Sequence, residues 1–190
     1  NNNELVIEII RETYFWKIFN LHKEKKLNNL WSMFDHYVST YSNFGKSHWH
    51  SEILKTAERL MVEDDSWRFY AFLRKWDINN FRNNDWQEEK IKDATIKPLA
   101  RKALKKIFTI AKQANNVEKD FKWILPLYQN ALNSIKDDNW IAREYAIILK
   151  LDGQIQEAIK IYRNVILKLT DQAYAWHEFG EILLDTEPEV

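Results

Sequence analysis

The chain has 190 residues, 45% of them hydrophobic and 14% aromatic, with nine Trp, so it can bury a sizeable core and is not a disordered polymer. Three Gly and three Pro leave too little turn chemistry for a sandwich or barrel, and the lack of Cys excludes a disulfide framework, a thiolate nucleophile and a Cys-based zinc site. Lys+Arg and Asp+Glu stand at 28 each, so the net charge implies no global electrostatic partner.

The chain opens Asn1-Asn2-Asn3 and not with Met, which reads as a processed or excised piece. Leu5-Val6-Ile7 is cut by Glu8, too short and too charged a run for a signal segment or a membrane span. A first helix is predicted over 4–24, with Leu5, Ile9, Ile10, Phe15, Trp16, Phe19 and Leu21 apolar and a basic run at 23–26 that suits the helix dipole. A second follows over 27–41 on Leu27, Leu30, Trp31, Phe34, Val38 and Tyr41, then a loop at 42–47. The third, near 49–62, uses Ile53, Leu54, Ala57, Leu60 and Met61. Glu63-Asp64-Asp65 supplies a cap for a fourth at 66–77, apolar around most of its circumference, as in the middle of a bundle.

Residues 78–96 read as irregular. Pro98 opens a helix to about residue 113 with Lys97, Arg101, Lys102, Lys105, Lys106 and Lys112 on one half of its wheel and apolar residues on the other. Asn115-Asn116 turns into a sixth helix, about 118–135, with Pro126 as a kink site, and the chain ends in an acidic tail at 185–190. The expected fold is all-α: a helical bundle and linker over 1–96, continuous with an α-solenoid of hairpins over 97–190. Its core should be led by Trp31, Phe34, Trp67, Tyr70, Leu73, Leu104, Phe108, Ile124, Tyr128, Tyr145, Ala158, Tyr162 and Phe179, with most of the Trp serving as packing residues.

The C-terminal part repeats with a period of 34: Trp140, Tyr145, Ala146 and Leu149 are matched by Tyr174, Phe179, Gly180 and Leu183. The string 173–180 and the placing of Gly153, Ala158 and Tyr162 resemble the tetratricopeptide repeat family, with repeats at about 105–138, 139–172 and 173–190, the last a first helix only. That resemblance implies a non-enzymatic scaffold holding a protein partner or peptide segment in a groove lined by Lys106, Thr109, Gln113, Arg143, Ile147, Lys150, Tyr174, His177 and Glu181. Its carboxylate-clamping pattern is missing, because Thr109/Gln113 and Arg143/Ile147 stand in its place. The unfinished helix at 173–190 offers a further surface for self-association.

A fainter resemblance rests on Trp67 to Trp76, Asn80-Phe81-Arg82, Asp85-Trp86, the basic helix and Ala175-Trp176. It is to the helical part of uncharacterised bacterial conflict or stress proteins that also carry an oligonucleotide-binding or cold-shock-like barrel. This implies an alternative partner, nucleic acid, bound here or by a domain outside this chain. The candidate contacts are Lys90, Lys92, Lys97, Arg101, Lys102, Lys105 and Lys106, seven basic residues against Asp93 alone, with Trp86 and Phe81 to stack on bases.

His48 and His50 could share a metal ion in an extended loop, but at a helix start they point apart, no further ligands are in view, and the pair reads as lying partly at the surface. His177-Glu178-Phe179-Gly180-Glu181 lacks the second His of a zinc helix. Asp64-Asp65 and Asp137-Asp138 fall where helix caps are needed, which leaves no catalytic pair. The expectation is a cytoplasmic protein with no catalytic residue, no cofactor, no metal and no membrane association.

Overall fold

The structure, a computed structural model, describes residues 2–60, 66–92, 94–113, 120–135 and 138–184. The expected cap at Glu63-Asp64-Asp65, the turn at Asn115-Asn116, the Asp64-Asp65 pair, Asp137 and the acidic tail lie outside the described residues. The fold is all-α, with one short two-stranded hairpin among the described residues. The chain divides into two compact units, 1–106 and 107–190, so the division falls inside a helix and later than the 96/97 boundary read from the sequence.

The N-terminal unit is built on α1 (Asn2–Lys23), α2 (Leu27–Tyr41), α3 (His48–Leu60) and α4 (Ser66–Trp76). α1 packs against α2 and α3, and α2 against α4. The apolar spacing of α2 delivers Leu30, Phe34, Tyr37 and Val38 to the core, to which α3 adds Ile53, Leu54 and Ala57 and α4 adds Phe69, Phe72, Leu73 and Trp76. Phe34 and Phe72 pack edge to face with ring centroids 5.6 Å apart. α1 stops where Lys25 turns left-handed (φ 57), letting the Lys25 and Lys26 amides bond back to the carbonyls of His22 and Leu21.

Trp67 does not lead the core as expected. It is 45% exposed, because α4 turns Trp67, Ala71, Arg74 and Lys75 outward on one face. Trp31 and Tyr70 are only half-buried, and Trp76 is the one fully buried Trp of the nine. The expectation of mostly packed Trp is corrected accordingly, with Trp16, Trp140 and Trp176 also exposed.

The stretch expected to be irregular carries 3-10 turns at Ile78–Asn80 and Asn83–Trp86, then β1 (Glu89–Ile91) paired antiparallel with β2 (Ala94–Ile96). Asp85 holds the second turn to α3: its buried carboxylate accepts from the Arg82 amide at 2.8 Å and the Ser51 hydroxyl at 2.6 Å. α5 (Leu99–Gln113) follows and runs across the division between the units.

The C-terminal unit continues with α6 (Phe121–Ser134), α7 (Asn139–Leu151), α8 (Ile155–Ile161), a π turn at Tyr162–Ile166, α9 (Leu167–Leu169) and α10 (Ala173–Leu184). Asp120 and Asp138 cap α6 and α7 through their carboxylates, and α6 runs on through Pro126. α7 packs on α6 and α8, and α10 packs on α8 and the π turn. Ala142, Ala146, Ala158, Tyr162 and Ala175 are fully buried where these helices meet, whereas Tyr145 and Phe179 are half-buried.

Gly153 makes the α7–α8 turn at φ 81, with its own amide and that of Gln154 bonding the carbonyls of Lys150 and Leu149. A Cβ there meets open space, so only the left-handed backbone opposes it. Gly153→Ala should therefore cost about 1 kcal/mol, read as a lower thermal midpoint for this unit.

Candidate partner-binding face

Trp140 on α7 and Tyr174 on α10 stand 34 residues apart in the sequence. Their rings stack 5.8 Å apart at 14°, with the Arg143 guanidinium 5.3 Å from the Trp140 centroid and 5.1 Å from that of Tyr174. Arg143 is fixed there by a fork: Nε donates to Glu178 Oε2 at 2.6 Å and Nη2 donates to Glu178 Oε1. The Tyr162 hydroxyl donates to the same Oε2 at 2.9 Å, tying the π turn into the cluster.

Burial works to raise the Glu178 pKa, but hydrogen bonds from Arg143 and Tyr162, with the charges of Arg143 and Lys112, outweigh it and hold the carboxyl below its ordinary value. Burial and the neighbouring Glu178 carboxylate push the Tyr162 hydroxyl up, and the hydrogen bond to Glu178 raises Arg143. Because the folded carboxyl is depressed, the cluster's stabilisation is present above the unfolded Glu value and is lost as pH falls through the lower folded one. Arg143 and Glu178 side chains are 25% and 20% exposed, which screens the pair in part. A double-mutant cycle with Arg143→Met and Glu178→Gln should give a coupling of about 1–2 kcal/mol near neutrality, shrinking as Glu178 protonates.

Among the expected groove residues, Arg143 and Tyr174 come together. Ile147 and Lys150 are half-buried farther along α7. His177 lies exposed beside Glu181, Nδ1 to carboxylate 3.7 Å. Thr109 is half-buried and Gln113 exposed on the part of α5 in this unit, while Lys106 falls in the N-terminal unit. Arg143 is no bare cation awaiting an acidic anchor, since Glu178 already neutralises it. Trp140, Glu178 and Tyr162 were missed as members of this face. The 34-residue match of Trp140 with Tyr174 was the signal for the first.

The basic surface is less uniform than its sequence run. Lys90, Lys92, Lys97 and Lys105 are exposed, but Arg101 is buried (8% exposed) and belongs to the packing of α5. Lys97 and Lys102 line an open groove of about 780 Å³ that Glu52, Glu58, Glu88 and Glu89 also line. Lys55 in the same groove pairs with Glu52 at 2.9 Å and approaches Glu89 at 3.9 Å. Trp86 is half-buried against Phe81, ring centroids 5.3 Å apart at 68°, and Phe81 is buried, so the two do not form a stacking platform.

His50 departs most from its surface reading. It is fully buried and stacks on Trp76 with centroids 4.3 Å apart. Its Nε2 lies 3.2 Å from the Trp76 carbonyl, which can only accept, so Nε2 carries the proton and Nδ1 accepts from the Tyr37 hydroxyl at 2.5 Å. Both nitrogens are thus engaged within the protein. His48 and Ser51 sit near Asp85, but Asp85 and Arg82 hold the Ser51 hydroxyl, and His48 Nδ1 lies 3.4 Å from Arg82 Nη1. That arrangement is a clasp between α3 and the 3-10 turn, with the Ser51 hydroxyl donating to the Asp85 carboxylate rather than to His48. Among the described residues no group of three or more His, Asp or Glu is placed to hold a metal ion, and no helix is long and apolar enough to cross a membrane.

No protein-family model matches the chain, and neither a curated protein nor a solved structure matches it.

Proposed function

We propose that the C-terminal unit is an array of tetratricopeptide-like hairpins whose first-helix face, on α7 and α10, holds a segment of a protein partner without chemical transformation. The observation that carries this reading is the Trp140–Arg143–Tyr174 stack. It sets two rings and a planar cation, the residue types that dominate binding energy in interfaces, in one place with the cation already immobilised by Glu178. Trp140 keeps 45% of its surface exposed and Trp176 on α10 keeps 55%. The partner segment brings an apolar or aromatic anchor to the rings, and an acidic residue adds less, because Arg143 is neutralised. A chain without Cys suits the cytoplasm for such a scaffold.

Selection of random linear peptides displayed on phage tests the reading. Peptides enriched on the wild-type chain should bind at least about tenfold more weakly to Trp140→Ala/Tyr174→Ala. Enriched peptides that bind both chains equally would refute it.

The second reading, nucleic acid held by Lys90, Lys92, Lys97 and Lys105, draws on their exposure. The carboxylates lining the same groove as Lys97 and Lys102 oppose it. It requires labelled RNA or DNA to bind with a steep salt dependence that Lys97→Glu/Lys102→Glu abolishes.

A further inference from the structure

α1 carries two apolar faces. One, with Ile18 and the buried Arg11, is packed in the N-terminal unit. The other shows Leu5 (64% exposed), Ile9 (55%), Trp16 (48%) and Phe19 (41%), which at 100° per residue fall within about 80° of arc. A helix of this kind needs cover on both sides; α2 and α3 cover the first, and α3 reaches the edge of the second through Trp49, whose ring lies 6.4 Å from that of Trp16. Charge is sorted along the same helix: apart from Arg11, which is buried and lies 3.7 Å from Glu8, the charged residues of its N-terminal half are Glu4, Glu8 and Glu12, and those of its C-terminal half are Lys17, His22 and Lys23.

We infer that this stripe pairs with the same stripe of a second copy of the chain, the two α1 helices running antiparallel. Antiparallel pairing brings the acidic half of each helix against the basic half of the other and opposes the helix dipoles favourably, whereas parallel pairing sets acid on acid. It also sets the small aliphatic end of the stripe against its large aromatic end. Centred near residue 14, the pairing places Ile9 opposite the partner's Phe19 and Leu5 beside the aliphatic stem of the partner's Lys23. Glu12 then faces the partner's Trp16, a ring whose indole N–H already donates to Glu12 within its own helix at 3.4 Å. The contact is isologous and closes as a dimer. A lipid surface suits the stripe less well, because Glu12 lies within it and Glu4 and Glu8 flank it.

A single helix pair lies at the small end of stable interfaces, so the dimer dissociates in the micromolar range. Sedimentation velocity of the whole chain from about 1 to about 300 μM should show a concentration-dependent monomer–dimer equilibrium. Leu5→Lys/Ile9→Lys, at positions already exposed, should weaken it at least about tenfold while circular dichroism stays unchanged. Glu4→Lys and Lys23→Glu should each weaken it, and the two together should restore it. The inference is overturned by a chain monomeric throughout, whether or not it sediments with phosphatidylcholine vesicles. It is equally overturned by association that survives Leu5→Lys/Ile9→Lys, or by a charge swap that fails to restore pairing.

Discussion

Lowering the pH from 7 towards 4 should destabilise the N-terminal unit, and His50 should be the main cause. Burial, reinforced by the nearby positive charge of Arg11 and only partly offset by the hydrogen bond to the Trp76 carbonyl, lowers its pKa to about 3. In the unfolded chain the same imidazole takes up its proton near 6.5. Between these values the unfolded state binds more protons than the folded one. The stabilisation is therefore complete above about 6.5 and is lost as pH falls towards 3. Over the whole window it amounts to something on the order of 5 kcal/mol. Urea unfolding followed by Trp fluorescence at a series of pH values should show that slope, and His50→Gln should flatten it. An unchanged slope in His50→Gln would assign the acid sensitivity to the carboxylates instead.

Trp76→Ala should be the most damaging single truncation in the same unit, at about 3–5 kcal/mol. The ring is fully buried, stacks on His50, meets Phe81 at 5.0 Å, and donates its indole N–H to the His50 carbonyl at 3.2 Å. Its removal opens a cavity between α3 and α4 and removes the indole hydrogen bond to the His50 carbonyl. Trp67→Ala, on the exposed face of α4, should cost under about 1 kcal/mol. Denaturant midpoints for the two variants check the contrast, and equal losses would contradict the packing described.

Much of the helical frame was legible because its signals are local. The apolar spacing of 27–41 marks α2 to its ends, and Gly153 marks the α7–α8 turn because a left-handed cap favours glycine. The aromatic ladder was half legible, since the 34-residue period already matched Trp140 with Tyr174. What could not be read depends on neighbours distant in sequence. His50 looked like a surface residue near a helix start until Trp76 and Tyr37 closed over it. Arg143 was expected to line the groove, but its fixed pairing was not legible because Glu178 lies 35 residues away. The basic surface looked uniform because Glu88 and Glu89 stand just before Lys90, whereas Glu52 and Glu58 reach the groove from α3. Strands of three residues, as in β1 and β2, carry too little periodicity to show at all.

The face formed by α7 and α10 is proposed to hold a partner segment. Backbone amide chemical-shift mapping of the labelled chain with an unlabelled phage-selected peptide tests it most directly. Shifts concentrated at Trp140, Arg143, Ile147, Tyr174 and His177, absent in Trp140→Ala/Tyr174→Ala, are the expected result. Shifts centred on the Lys97 and Lys102 groove, with the α7 and α10 amides unmoved, would contradict it.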